Sequence, residues 1–109
     1  MPTTYKILGS AAPSTAGATL YTVPTTGNAV ISTVSVANIT TGSRTFKLIL
    51  KPTAATTLAN NHYLANDSIV PANDTIVLTL GITMSGSNVL IGSGSTSDIA
   101  FNVFGSEIT

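Results

Sequence analysis

Two neighbouring segments decide the fold class. The first is Ala29-Val30-Ile31-Ser32-Thr33-Val34-Ser35-Val36-Ala37-Asn38. After Ile39-Thr40-Thr41-Gly42-Ser43 comes the second, Arg44-Thr45-Phe46-Lys47-Leu48-Ile49-Leu50-Lys51. Apolar and polar residues alternate in both with a period near two, the spacing at which side chains of a strand point to opposite faces. Val30, Val34 and Val36 share one face of the first segment, and Thr33 and Ser35 take the other. Phe46, Leu48 and Leu50 share a face of the second, opposite Thr45, Lys47 and Lys51. The four residues 40–43 have hairpin length, and Pro52 ends the second strand.

The same pattern extends in both directions. Strands are expected at 5–8, at 19–23 before Pro24, at 62–70 with a break near Asn66-Asp67, and at 75–82, 88–91 and 99–104. Between them lie Gly, Pro, Ser, Thr and Asn clusters, the residues that make turns. Residues 9–18 and 92–98 read as loops, and Pro71-Ala72-Asn73-Asp74 suits a type I turn. Only residues 53–61 leave room for a helical turn. About eight strands at this spacing predict a single domain, residues 1–109, folded as an all-β, two-sheet antiparallel β-sandwich of jelly-roll or immunoglobulin-like type. The Val30/Val34/Val36, Phe46/Leu48/Leu50, Ile76/Leu78/Leu80 and Ile99/Phe101/Val103 rows would be buried between the sheets.

Composition supports this class. The 109 residues include 19 Thr and 12 Ser but only 4 Lys+Arg and 4 Asp+Glu, so 7% are charged and the net charge is zero. An ordinary soluble domain is about one-quarter charged. Thr is β-branched and favours strands, whereas Lys and Glu, the usual surface helix formers, are scarce. A neutral chain with four basic residues lacks the electrostatic footprint of a nucleic-acid binder and the polybasic patch that draws a protein to anionic lipid. Zero Cys excludes thiolate metal sites and a Cys nucleophile, and one His excludes sites that need two imidazoles. Apolar runs stop at three residues, as in Leu48-Ile49-Leu50, too short for a membrane helix. The start Met1-Pro2-Thr3-Thr4-Tyr5-Lys6 has no signal-peptide pattern. Near-zero charge promotes association, so this surface suits a homo-oligomer or a subunit of a larger assembly, made in the cytoplasm.

The residues that suggest chemistry have plainer readings. His62-Tyr63 with Asp67 resembles an acid–base pair, but five residues put Asp67 on the opposite face of a regular strand from His62. Asn66-Asp67 and Asn73-Asp74 supply too few carboxylates for calcium and are ordinary turn residues. Gly92-Ser93-Gly94-Ser95 has no following Lys and opens no helix, so it is not a phosphate loop. Asn38-Ile39-Thr40, Asn66-Asp67-Ser68 and Asn73-Asp74-Thr75 have the form of glycosylation sequons, close to the roughly two expected by chance in so Ser/Thr-rich a chain. No catalytic residue, cofactor or metal is expected, and the chain reads as a non-enzyme. The interface candidates are apolar residues that break polar patterns: Ile49 between Lys47 and Lys51, Phe104 opposite Phe101 and Val103, and Ile108 in a tail, 105–109, read as a free arm.

Three further stretches carry a resemblance: His62-Tyr63-Leu64-Ala65-Asn66-Asp67, Val70-Pro71-Ala72-Asn73-Asp74-Thr75 and Leu78-Thr79-Leu80-Gly81-Ile82-Thr83-Met84. So do the opening Tyr5-Lys6-Ile7-Leu8-Gly9, the segment Leu20-Tyr21-Thr22-Val23-Pro24 and the closing residues 99–108. Together they resemble small structural proteins of tailed bacteriophages that infect aquatic bacteria, including cyanobacteria. The resemblance implies a virion protein without catalytic residues. Proteins of that kind serve as capsid decoration, tail or fibre components. Small size and low mutual repulsion make a capsid decoration or cement protein that binds the major capsid protein on the outer shell the first expectation. A tail, baseplate or fibre component is the alternative, and a carbohydrate-binding module a third.

Overall fold

Alternation becomes eight strands in the computed structural model, which describes residues 3–13, 15 and 17–108. They are β1 (Thr3–Ala11), β2 (Ala18–Thr22), β3 (Asn28–Asn38), β4 (Arg44–Lys51), β5 (Tyr63–Val70), β6 (Thr75–Ser85), β7 (Val89–Gly94) and β8 (Ile99–Ile108). Of the room left for a helical turn, residues 53–59 form bends, turns and coil, and a 3-10 turn, Asn60–His62, takes up only its end. Met1, Pro2, Ser14 and Ala16 of the expected 9–18 loop, and Thr109 of the expected tail, lie outside the described residues.

The strands form two antiparallel four-stranded sheets, in the orders β1-β8-β3-β6 and β2-β7-β4-β5. β1 pairs with β8, β2 with β7, β3 with β6 and β4 with β5. This nesting is the winding of a jelly roll: a long hairpin folded over into two sheets. The 40–43 connection therefore crosses from one sheet to the other, where a local hairpin was expected. Of the consecutive strands only β4 and β5 are sheet neighbours.

The core lies between the sheets. Ile31, Val34 and Val36 of β3, Ile99, Phe101 and Val103 of β8, and Met84 of β6 meet Phe46 and Leu48 of β4, Leu90 of β7 and Val70 of β5. Phe46 and Phe101 join the two layers edge to face, with ring centroids 6.0 Å apart, a favoured aromatic geometry. Ile76, Leu78 and Leu80 point to the core as expected but are half-buried, because β6 is an edge strand.

Val30 departs from the expected core row. Ile31 and Thr33 are two residues apart, yet their β8 partners, Gly105 and Phe104, are adjacent. The extra residue, Ser32, makes a bulge and donates its hydroxyl to the Phe104 carbonyl at 3.2 Å. A bulge resets the in–out parity of a strand, so Ile31 and Val34 both point inward and Val30 turns out. β1 has the matching irregularity: Ile7 and Gly9 pair with the adjacent Phe104 and Val103.

Asn38 is a buried polar hub at the crossing from β3 to β4. Its Nδ2 donates to the carbonyls of Gly42, Val70 and Pro71 at 2.8, 3.0 and 3.2 Å. Its Oδ1 accepts from the Thr40 backbone N–H and hydroxyl at 2.9 and 2.7 Å. With 2% of its surface exposed, this first residue of a sequon is a structural pin and closed to glycosylation in the folded chain. Asn38→Ala would take the side-chain donor from the buried Val70 carbonyl and the acceptor from the Thr40 backbone N–H, so it is expected to cost about 2–4 kcal/mol. At this size that lowers the melting temperature by on the order of 10–20 °C, measurable by calorimetry.

Candidate functional site

Cross-strand register and alternation place the outward side chains of the β1-β8-β3-β6 sheet in rows. One row holds Tyr5, Ser106, Val30 and Thr83, and the next holds Ile7, Phe104, Thr33 and Thr79. Ile108 extends the face at one end, opposite Thr3 and Asn28, and Val77 lies beside Ser35 near the other. Tyr5 is 84% exposed, Ile7 61%, Val77 60% and Phe104 37%. Tyr5, Val30, Ser32, Gly105 and Ser106 line a shallow depression of about 390 Å³. Among the described residues no charged side chain lies on this face. Its remaining positions are Ser, Thr, Asn, Ala and Gly.

Charge is gathered elsewhere. Lys47 of β4 pairs with Asp67 of β5 on the second sheet, and its Nζ also donates to Asn66 Oδ1 at 3.1 Å. The second ion pair among the described residues, Lys6–Glu107, reaches across to the other sheet. Lys6 Nζ donates to Glu107 Oε1 at 3.0 Å, and the Tyr21 hydroxyl of β2 donates to Glu107 Oε2 at 2.5 Å. β1 and β8 of one sheet are thereby strapped to β2 of the other. The Tyr21 hydrogen bond and then Lys6 hold the Glu107 carboxyl below its ordinary value. Burial and then the carboxylate push the Tyr21 hydroxyl well above the usual phenol range.

The two shifts set opposite limbs of a stability profile. Glu107 is more acidic in the fold than unfolded, so its stabilisation is present above the ordinary Glu range and lost as pH falls through its folded value. Tyr21 holds its proton more tightly in the fold, so its stabilisation is present below about pH 10 and lost as pH rises above it. Urea midpoints are expected to be level from about pH 5 to about pH 10 and to fall on both sides. Tyr21→Phe should remove the contribution of this phenol to the alkaline limb and weaken the acid limb.

His62 sits in the 3-10 turn, where its Nδ1 accepts the Ala59 backbone N–H at 3.0 Å. Asp67 is paired with Lys47 rather than with His62, so the structure does not assemble an acid–base dyad from the two. Asp67 and Asn73 adopt positive φ values of 51° and 52°, as expected of Asx residues in kinks and turns. The described residues contain no group of three or more His, Cys, Asp or Glu close enough to hold a metal.

Of the three interface candidates, Phe104 and Ile108 fall together on the neutral face. Ile49 does not. It lies on the other sheet, 6% exposed, between Tyr63 of β5 and Ile91 of β7. Neighbours from distant sequence bury it, so it offers no docking surface. The tail is also corrected: residues 105–108 are the second half of β8, paired with β1 on one side and β3 on the other. Tyr5 and Ile7 were missed as surface residues. Their signal was available in the alternation Tyr5-Lys6-Ile7, which sets both opposite the one charge of β1.

Compared with family models, curated proteins and solved structures, the chain matches none.

Proposed function

We propose that the protein is a non-enzymatic structural subunit of a virion, a capsid decoration protein that lies flat on the outer shell through the neutral face of the β1-β8-β3-β6 sheet. The observation that supports this reading is the segregation of charge: a whole sheet face presents Tyr5, Ile7, Phe104, Val77 and Ile108 among hydroxyl and amide groups, without one ion. An apolar patch on a soluble domain marks an interaction surface. Jelly rolls occur among viral capsid domains and also among lectins and enzymes, so the winding adds only analogy.

The mechanism is added buried surface across the boundaries between shell subunits. Apolar burial contributes about 25 cal/mol per Å², offset by several kcal/mol of lost freedom on association. Many small, mutually unrepelled copies would then reinforce a shell against internal pressure. The test is the position of the protein in a density map of purified particles. Density on the icosahedral shell with the β1-β8-β3-β6 sheet inward supports the proposal. Density confined to the tail favours a tail, baseplate or fibre component and overturns it.

A further inference from the structure

The four sheet edges are protected to very different degrees. β1 carries Lys6 and a bulge, and closes on β2 so tightly that a Cβ on Gly9 would lie 2.1 Å from the Leu20 carbonyl oxygen. β2 is five residues long. β5 is kinked at Asp67, which also places a charge there. Charges, bulges and shortness are the devices that keep edge strands from pairing with other chains. β6 has eleven residues without a charge or a proline. Its one irregularity lies at the shifted register opposite residues 31–33, around Gly81 at φ 64°. The five residues before it, Thr75-Ile76-Val77-Leu78-Thr79, have no protective device.

The register shows which main-chain groups are free. Ala37 is opposite Thr75, and the Asn38 N–H donates to the Asp74 carbonyl at 2.9 Å. In an antiparallel ladder this makes Ala37/Thr75 a non-hydrogen-bonded pair. The main-chain groups of Ile76 and Leu78 therefore face β3, and those of Thr75, Val77 and Thr79 face away from the sheet.

We propose that β6 pairs with β6 of a second copy of this chain, antiparallel, about a two-fold axis at Val77. The five residues form a palindrome of side-chain classes: Thr, aliphatic, Val, aliphatic, Thr. A two-fold at Val77 sets each Thr75 opposite a Thr79, each Ile76 opposite a Leu78, and Val77 opposite itself. Aliphatic and Thr–Thr cross-strand pairs are favourable, and a strand without charge meets its own copy without repulsion. About six main-chain hydrogen bonds form. The half-buried Ile76 and Leu78 gain cover, and the two sheets become one of eight strands with its neutral outer face doubled. This contact goes beyond the proposed function and does not depend on it, since it requires no particle.

The chain has no Cys, so a single introduced thiol reports the pairing. Directly opposed residues of a hydrogen-bonded antiparallel pair have Cα atoms about 5.5 Å apart, within disulfide reach. Val77→Cys is expected to cross-link to a covalent dimer under mild oxidation far faster than Thr83→Cys, which lies beyond the irregularity at Gly81. Wild type is expected to sediment as a dimer at about 100 µM. Val77→Pro, which deletes an outward N–H without touching the β3 ladder, is expected to sediment as a monomer with an unchanged β circular dichroism spectrum. A monomeric wild type overturns the proposal. So does a dimer that survives Val77→Pro, or one whose Val77→Cys form cross-links no faster than Thr83→Cys. Attachment to particles is read separately, so failure of the pairing and failure of the decoration reading are distinguishable.

Discussion

Gly105→Ala is expected to cost more than about 4 kcal/mol, a large fraction of the stability of a domain this size. A Cβ at Gly105 would stand 2.0 Å from the Val30 carbonyl oxygen and 3.1 Å from its carbon. Those atoms are backbone, so no rotamer change relieves the clash. β8 is held between β1 and β3, and moving it to admit one methyl group breaks two ladders. It also draws Glu107 away from Tyr21 and Lys6. Gly81→Ala is the internal comparison. At φ 64° alanine is strained, but nothing lies within 4 Å of its Cβ, and the cost is expected to be only about 1–2 kcal/mol. Urea denaturation of the two variants measures both. Equal losses would show that the close approach at Gly105 is not what demands glycine there. Cutting the chain after Phe104 removes the second half of the same strand and is expected to go further and prevent folding.

Gly105 also shows where the sequence stops being legible. Gly105-Ser106-Glu107 has the composition of a turn, and by local reasoning the last strand ends at Phe104. The glycine is there because a carbonyl of a strand some seventy positions earlier passes against it, a contact no local pattern encodes. Val30 and Ile31 pose the same problem. Alternation assigns one to the core, and the bulge at Ser32, visible only through the partner register, assigns the other. Ile49 is buried by Tyr63 and Ile91, which arrive from the two flanking strands. By contrast, the all-β class and most strand centres were readable from alternation between turn clusters. Phe104 was readable as an outward residue because it follows the Ile99, Phe101 and Val103 row out of step.

The second large effect concerns attachment. Phe104→Asp and Tyr5→Asp each place a carboxylate in a face that carries none. On the free protein Tyr5 is 84% exposed, so Tyr5→Asp should leave folding nearly unaffected, whereas Phe104, 37% exposed on an inner strand, gives up part of its packing and on the order of 1–2 kcal/mol of stability. In a closed contact the carboxylate loses its water without finding a partner, and an unpaired charge is far more costly to bury than a polar group. Each variant is expected to bind its particle at least about 100-fold more weakly than wild type, equivalent to about 2.7 kcal/mol or more. Lys47→Glu, on the other sheet, should have little effect.

The neutral face makes one demand that a charged face would not. Salt screens exposed ion pairs strongly and leaves apolar burial largely alone. The most direct measurement is therefore retention of the protein on purified virions after a wash in about 1 M salt, for wild type and Phe104→Asp side by side. Wild type is expected to stay bound while Phe104→Asp is lost. Release of wild type by salt, or retention of Phe104→Asp at the wild-type level, would contradict attachment through the β1-β8-β3-β6 face.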